Sequence, residues 1–111
     1  MGEPRIKAGI WVSAALRLGM VQNKPGAVIR KGDPDAGGVA VVLRGRGGNV
    51  VLSQFRDTNG ELTWMRGSGP EPVGEEATDA YIAKQSRYDP DLWVIEFEAP
   101  DYLPPFEGRI V

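Results

Sequence analysis

The sequence contains no histidine and no cysteine. Without an imidazole, the serine–histidine–aspartate and cysteine–histidine arrangements of nucleophilic catalysis are excluded. Structural zinc sites and the common catalytic zinc sites are excluded as well, because they need thiolate or imidazole ligands. The remaining acids and bases are carboxylates, lysine and tyrosine, and any bound metal would be an oxygen-liganded ion such as Mg²⁺ or Ca²⁺. Most hydrolase and redox functions are therefore excluded.

Long hydrophobic runs are also lacking, since no uncharged apolar stretch approaches the roughly 18 residues that a membrane span requires. The first residues do not pair a basic segment with an apolar one, so no secretory signal is expected. A hydrophobic content of 41% and a charged content of 25% are typical of a globular domain. We therefore expect a single domain over residues 1–111, cytoplasmic and without a membrane partner.

The two signs of charge are unevenly distributed along the chain. Residues 1–56 carry nine bases and three acids, whereas residues 57–111 carry four bases and twelve acids. Such an asymmetry indicates either a basic surface for nucleic acid or two halves of one domain that attract each other. The second interpretation is favoured because neither half contains a long run of one sign. The sequence pI of about 5.1 also disfavours a nucleic-acid partner.

Hydrophobic periodicity predicts two helices, over residues 8–22 and 75–88. The apolar stripe of the first helix comprises Ile10, Trp11, Ala14, Ala15 and Leu18. Val12 and Leu16 fall outside this stripe, so the helix is apolar over more than half of its girth. The second helix has acidic residues in its first turn and basic residues near its end, which matches the helix dipole.

Five strands are predicted, over residues 27–31, 39–46, 49–56, 61–66 and 92–98. The last strand alternates, which places Trp93, Ile95 and Phe97 on one face and its two glutamates on the other. The tail over residues 99–111 contains three prolines, and its docking is left open. The order of elements indicates an α+β fold with two helices and a mainly antiparallel sheet of about five strands.

Three segments carry a resemblance to a known family: residues 30–37, residues 64–66 with 70–73, and residues 87–94. In these segments, and in residues 10–12, the chain resembles a small uncharacterised bacterial family, the domain of unknown function 1491. The order and spacing of the segments extend the resemblance over nearly the whole chain except the tail. The resemblance implies a stand-alone bacterial α+β domain of about this length, and it implies no activity, cofactor or catalytic residue.

A first candidate site follows from the predicted hairpin registers. A two-residue turn at Gly47-Gly48 and a four-residue turn at residues 57–60 place four binding candidates on one sheet face: Arg44, Arg46, Trp64 and Arg66. Arginine beside an aromatic ring is a composition that binds phosphates or stacked bases. In the favoured alternative, the tryptophan packs under the second helix and the arginines pair with Glu96 and Glu98. A one-residue slip would separate the four residues.

A second candidate site consists of two Asp-Pro-Asp tripeptides with loop character, which contribute Asp33, Asp35, Asp89 and Asp91. If the two loops met, their carboxylates could hold Mg²⁺ or Ca²⁺ and would supply the only acid–base site in the chain. The favoured alternative is turn and cap chemistry, because aspartate before proline initiates turns. Calcium loops of the EF-hand type also need more oxygen ligands at fixed offsets.

The leading hypothesis is a small binding or accessory domain that performs no catalysis and needs no cofactor. Its partner would be a protein or an anionic ligand. A divalent-metal-dependent enzyme that uses the two Asp-Pro-Asp loops is one alternative, and a nucleic-acid-binding domain is another. The sequence leaves the oligomeric state open.

Overall fold

A computed structural model describes residues 6–111 of the chain. The expected lack of a secretory signal concerns the first residues of the chain, which lie outside this range. The helices and strands are α1 (Ala8–Val21), β1 (Gly26–Arg30), β2 (Val39–Gly45), β3 (Gly48–Arg56), β4 (Leu62–Arg66), α2 (Glu75–Tyr88), β5 (Trp93–Glu98) and β6 (Arg109–Ile110). None of the helices in the described range is long and apolar enough to cross a membrane.

The strands form one mixed sheet in the order β1-β5-β2-β3-β4-β6. Three neighbouring pairs are antiparallel, namely β1–β5, β2–β3 and β3–β4, and two are parallel, namely β5–β2 and β4–β6. The predicted α+β fold with two helices is confirmed. The sheet differs from the prediction because it has six strands and because β5 returns parallel to β2 after the α2 crossover.

The sixth strand comes from the tail, where the sequence analysis predicts no strand. Ile110 is paired with Trp64 on β4, and the backbone N–H of Val111 donates a hydrogen bond to the Trp64 carbonyl oxygen at 2.9 Å. Phe106 is buried, and the Gln22 side-chain amide donates to the carbonyl oxygen of Pro105 at 2.6 Å. The tail is therefore docked, although a two-residue strand is too short to leave a periodic pattern in the sequence.

Hydrophobic cores lie on both faces of the sheet. The core on the α1 side includes Val41, Leu43, Leu52, Ile95 and Phe97. The core on the α2 side consists of Ala40, Val42, Val51, Leu92 and Val94. Because β2 is covered on both faces, its first five residues are all buried and read as a continuous hydrophobic run. The predicted alternation of β5 is confirmed, since its three hydrophobic core residues are at most 6% exposed.

The buried face of α1 differs from the predicted stripe. The residues that α1 buries are Ala8, Val12, Ala15 and Gly19. Trp11 and Leu16 flank this line and are partly buried, whereas Ile10, Ala14 and Leu18 are exposed. The predicted stripe therefore holds at Trp11 and Ala15 and is wrong at its other three positions. A helix that is apolar over more than half of its girth gives only a weak periodic minimum to mark its solvent side.

Candidate functional site

The connection between β3 and β4 sets which side chains share a sheet face. It contains five residues, one more than the sequence analysis predicts, since Arg56 pairs with Leu62. The Asp57 carboxylate Oδ1 accepts hydrogen bonds from the backbone N–H groups of Asn59, at 2.9 Å, and Glu61, at 3.0 Å. This arrangement includes Glu61 in the turn and moves the pairing of the two strands by one residue.

The shifted register separates the four predicted binding residues. Trp64 now pairs with Gln54 and lies, like Arg66, on the face opposite Arg44. Trp64 is only 1% exposed, whereas Arg66 is exposed and donates to the Pro70 carbonyl oxygen at 3.3 Å. The predicted shared face of Arg44, Arg46, Trp64 and Arg66 is therefore wrong, because side chains alternate along a strand and one extra turn residue inverts all of β4.

The turn between β2 and β3 also differs from the prediction, but this difference does not change which side chains share a face of the sheet. Arg44 pairs with Asn49 and Gly45 pairs with Gly48, so the turn residues are Arg46 and Gly47. Moving the turn by one position changes each pairing partner by two residues, and a shift of two leaves every side chain on its predicted face. Arg46 is exposed in this turn.

Arg44 lies on the α2 side at the centre of a polar cluster. Its Nε donates to Glu96 Oε1 at 2.5 Å, and its Nη1 is bonded to Glu75 Oε1. The same Glu75 oxygen accepts a hydrogen bond from Asn49 Nδ2 at 3.0 Å, and this amide also donates to Thr78 Oγ1 at 3.1 Å. The cluster connects α2 to β2, β3 and β5. The Arg44 guanidinium is therefore already paired with carboxylates of the same chain.

These contacts shift the ionisation of the groups that make them. The hydrogen bond from Asn49, followed by the hydrogen bond and charge of Arg44, holds the pKa of Glu75 below its ordinary value. The hydrogen bond to Glu96 is the largest cause that raises the pKa of Arg44. Beyond the end of β5, the hydrogen bond from Lys24 lowers the pKa of Asp101.

We expect the free energy of unfolding to fall as the pH is lowered below neutral, partly through Glu75. Its pKa is lowered in the folded state, so its stabilising contribution is present above the ordinary glutamate pKa and is lost as the pH falls through the folded value. Melting temperatures measured between about pH 7 and about pH 3 should therefore depend less on pH in Glu75→Gln than in the wild type.

The matched control for this measurement is Glu76→Gln, which removes the neighbouring carboxylate of α2 without altering the Arg44 cluster. Its melting temperature should follow pH as the wild type does. Identical pH profiles for the wild type and Glu75→Gln would contradict the assignment.

The two Asp-Pro-Asp loops lie side by side. The backbone N–H of Asp33 donates to the Asp91 carbonyl oxygen at 3.0 Å, and Trp93 Nε1 donates to the Asp33 carbonyl oxygen at 2.7 Å. Gly32 and Gly37 both face this contact, and a Cβ at either position would overlap the Asp91 carbonyl oxygen. The glycines therefore allow the two loops to meet through their backbones.

Two of the four carboxylates in these loops, those of Asp33 and Asp89, accept hydrogen bonds within their own turns. Asp33 Oδ2 accepts a hydrogen bond from the Asp35 N–H at 3.1 Å. Asp89 accepts hydrogen bonds from the N–H groups of Asp91, at 3.0 Å, and Gly38, at 3.3 Å. Within residues 6–111 no three acidic side chains are grouped so that they could hold a metal ion. The metal site at Asp33, Asp35, Asp89 and Asp91 stays a prediction, and a calorimetric titration with Mg²⁺ and Ca²⁺ tests it.

An open cavity of about 980 Å³ lies between the start of α1, the loop before β2 and the connection from β3 to β4. It arises because β3 continues to Arg56 while its pairing with β2 ends at Ser53. Gln54 Oε1 accepts a hydrogen bond from the backbone N–H of Val39 at 3.2 Å, and Arg56 Nη1 donates to the Gly60 carbonyl oxygen at 2.8 Å. Both of these polar side chains in the cavity lining therefore form hydrogen bonds with the backbone of the same chain.

A more unusual surface is formed by α1 and β1. Of the twelve large hydrophobic side chains that are exposed in the described residues, seven lie between positions 6 and 29: Ile6, Ile10, Leu18, Met20, Val21, Val28 and Ile29. We call these residues, together with Arg17, Arg30 and Lys31, the α1–β1 surface. Half of the exposed large hydrophobic residues of the described range thus lie in two consecutive elements that pack beside each other, and Ile6 lies just before the first of them.

The charge of the α1–β1 surface has one sign. Residues 6–32 contain five bases and no acid, and two of the bases, Lys7 and Lys24, form ion pairs with aspartates elsewhere in the chain. Arg30 donates to the main-chain carbonyl oxygens of Leu92, at 2.5 Å, and Pro90, at 2.9 Å, which are neutral acceptors. Within the described part of the chain, no carboxylate forms an ion pair with Arg17, Arg30 or Lys31. The surface therefore combines hydrophobic side chains with positive charge that the fold does not neutralise.

The sequence analysis did not identify the α1–β1 surface, although two signals for it were present. One is the helix that is apolar over more than half of its girth, and the other is the stretch without acids at residues 6–32. Neither signal shows which side chains face solvent, because that depends on which side of α1 packs against the sheet.

The fold and this surface define a small α+β domain, with one helix on each face of a mixed six-stranded sheet and an apolar, basic exposed surface on its first helix and edge strand. The chain belongs to the family described as protein of unknown function (DUF1491), whose model matches residues 6–107. This confirms the resemblance seen in the sequence.

Solved structures of related proteins have the same fold. The chain is 31% identical to a DUF1491 family protein from Caulobacter crescentus CB15 in a crystal structure, with a TM-score of 0.85 over 96% of this chain and 100% of that one. An NMR structure of a DUF1491 family protein from the same organism gives 30% identity and a TM-score of 0.84, over 98% and 99% of the two chains.

A third structure is that of protein Atu0922 from A. tumefaciens, a structural genomics target. It is 25% identical to this chain, with a TM-score of 0.77 over 96% of this chain and 98% of that one. No match was found among the curated proteins. The family description assigns no function.

Proposed function

We propose that this chain is a non-catalytic binding domain whose partner is a protein, and that the α1–β1 surface makes the contact. The observation that carries the proposal is the distribution of side chains around α1. Its buried line contains only small or medium residues, such as Ala8, Ala15 and Gly19, whereas Ile10 is 62% exposed and Val21 is 82% exposed. Trp11 and Leu16 pack against the core from the two sides of this line. The other large hydrophobic side chains of the helix are exposed, namely Ile10, Leu18, Met20 and Val21.

A surface helix of a globular domain ordinarily presents charged and polar residues to water. Contiguous exposed hydrophobic side chains mark sites that contact other proteins or membranes. Each large side chain that a partner covers contributes about 1.5–3 kcal/mol relative to full exposure in water. The outward face of α1 therefore supports a role in binding a partner that supplies a complementary apolar surface.

The polar groups of the chain support a role without catalysis. Histidine and cysteine are missing from the sequence. The Asp33 and Asp89 carboxylates accept hydrogen bonds from backbone N–H groups in their own turns, and Arg44 is bonded to Glu75 and Glu96. These groups hold the fold together, which leaves surface contact as the function that the described geometry favours.

The proposal predicts that charges placed on the outward face of α1 abolish partner binding without unfolding the domain. The double variant Ile10→Glu/Val21→Glu changes two exposed side chains, so its melting temperature should stay close to that of the wild type. Tagged wild type and variant are incubated with a lysate of the native cells, and bound proteins are quantified by mass spectrometry. At least one partner should fall by about tenfold or more with the variant, which corresponds to about 1.4 kcal/mol.

The control is Met65→Glu/Leu62→Glu, which introduces the same two charges at side chains that are 44% and 37% exposed on β4. It should retain the partner that the α1 variant loses. The proposal is wrong if the wild type, the α1 variant and Met65→Glu/Leu62→Glu all retain the same proteins in equal amounts.

A further inference from the structure

We propose that β1 binds its partner by strand addition, and that the added strand is an extended, acidic segment of a protein with hydrophobic residues at alternate positions. This inference rests on the proposed function and specifies how part of the α1–β1 surface is used. It is carried by three features of the described residues: an open sheet edge, hydrophobic side chains along that edge, and three bases that form no ion pair.

The open edge follows from the order of the sheet. β1 is a terminal strand, and β5 is its only neighbour in the sheet of the described residues. The outer side of an edge strand presents backbone N–H and C=O groups in the repeat that another extended chain can match. Four of the five residues of β1 are exposed, so neither helix covers this edge.

The side chains of β1 are typical of a strand that packs against another polypeptide segment. Val28 is 42% exposed and Ile29 is 49% exposed, although both are β-branched residues suited to a packed sheet. Edge strands that stay free commonly carry charged residues, proline or a bulge, and β1 has Arg30 and a pairing irregularity at its end. Here the middle of the strand, Ala27 to Ile29, is entirely apolar.

The positive charge near β1 indicates that the added strand is acidic. Arg30 and Lys31 end the strand, Arg17 lies on α1, and no carboxylate in the described range pairs with any of the three. Opposite charges on neighbouring strands stabilise pairing and like charges opposite each other destabilise it. An acidic strand therefore fits this edge. A second copy of β1 would supply no acid, because residues 26–31 contain none.

The exposed backbone distinguishes a peptide from other anionic partners. A lipid headgroup or a nucleic acid could neutralise the bases, but neither supplies the alternating donors and acceptors that satisfy the edge of a strand. Peptide recognition by strand addition uses main-chain hydrogen bonds for affinity and alternate side chains for specificity. The combination of an open edge with hydrophobic and basic side chains therefore favours a peptide.

An irregularity in β1 limits the length of the added strand. The pairing with β5 shifts between Val28 and Arg30, so Ile29 has no partner on β5. Such a bulge bends the strand and increases its local twist. We therefore expect a short ladder centred on residues 27–29, and a seven-residue probe is long enough to test it.

The test uses the full chain labelled with ¹⁵N and an acetylated, amidated heptapeptide that alternates glutamate with valine or isoleucine. Two control peptides carry lysine in place of glutamate or N-methyl groups at alternate backbone positions. The acidic peptide should shift the amide resonances of residues 27–29 and slow their hydrogen exchange. Each control peptide should bind at least about tenfold more weakly, because one inverts the charge and the other removes backbone donors.

Variants of the chain complete the test. Ile29→Glu places a negative charge at the centre of the edge and should weaken the acidic peptide by about tenfold or more. Met65→Glu should bind it as the wild type does. Equal binding of the N-methylated peptide would overturn strand addition, as would resonance changes confined to sites outside β1. Protection of the same amides by phosphatidylserine vesicles, by a single-stranded oligonucleotide or by concentration-dependent dimer formation would also overturn it.

The result of the peptide test can be distinguished from the result of the test of the proposed function. If the acidic peptide does not bind β1 while Ile10→Glu/Val21→Glu still loses its cellular partner, strand addition is wrong and the binding role of α1 stands. If the α1 variant also retains every partner, both inferences are wrong.

Discussion

Replacing Trp64 with alanine is expected to lower the free energy of unfolding by about 3–5 kcal/mol, the usual cost of truncating a large buried aromatic residue. The indole is 1% exposed and lies at the centre of an aromatic cluster. Its ring centroid is 5.6 Å from that of Trp11 and 5.1 Å from that of Phe106. The truncation would leave a cavity where α1, β4 and the tail meet, and denaturant unfolding followed by circular dichroism measures the loss.

The next residue on the same strand provides the control. Met65 is 44% exposed and points to the other face of the sheet, so Met65→Ala should cost less than about 1 kcal/mol. This pair of variants distinguishes the two registers of β4, because the four-residue turn predicted from the sequence would place Met65 on the core side instead. A smaller loss for Trp64→Ala than for Met65→Ala would contradict the register described here.

Replacing Gly19 with alanine is expected to destabilise the domain by about 1–3 kcal/mol, although alanine is the better helix former. A Cβ at position 19 would lie 2.5 Å from the Lys24 carbonyl oxygen and 2.7 Å from the Phe97 ring. The gain in helix propensity is at most about 1 kcal/mol. Overpacking against backbone and a buried ring costs more, because neither can move away without disturbing the strands below α1.

Gly9 lies in the first turn of the same helix and gives the opposite expectation. A Cβ at this position would be 3.4 Å or more from its nearest neighbour, Pro34, which is ordinary van der Waals contact. Gly9→Ala should therefore be neutral or stabilising by up to about 1 kcal/mol. Thermal unfolding of both variants tests the comparison, and equal melting temperatures for Gly9→Ala and Gly19→Ala would contradict the close packing at Gly19.

The secondary structure was largely accessible from the sequence because local patterns determine it. The predicted second helix, residues 75–88, has the observed bounds, and the first differs by one residue at its end. The alternation of Trp93, Ile95 and Phe97 correctly identified the buried face of β5. In each case the hydrophobic period, bounded by glycine or proline, carries the information within a few residues of chain.

The candidate sites were harder to predict from the sequence, because they depend on strand register and on contacts between segments that are distant in the chain. The carboxylate of Asp57 extends its turn to include Glu61, and this single residue decides whether Trp64 is a surface residue or a core residue. The two Asp-Pro-Asp loops do meet, but through the backbones of Asp33 and Asp91 and not through a cluster of carboxylates.

By itself, the sequence determined what chemistry this chain cannot perform and where its helices and main strands lie, because missing side chains and local periodicity need no tertiary context. Only the tertiary structure decided which face of α1 is buried. A helix that is apolar over more than half of its girth can pack in several orientations, and the fit of Gly19 and Ala15 against the sheet selects one of them. That fit leaves Ile10 and Val21 in solvent beside an open strand, and the binding surface follows from it.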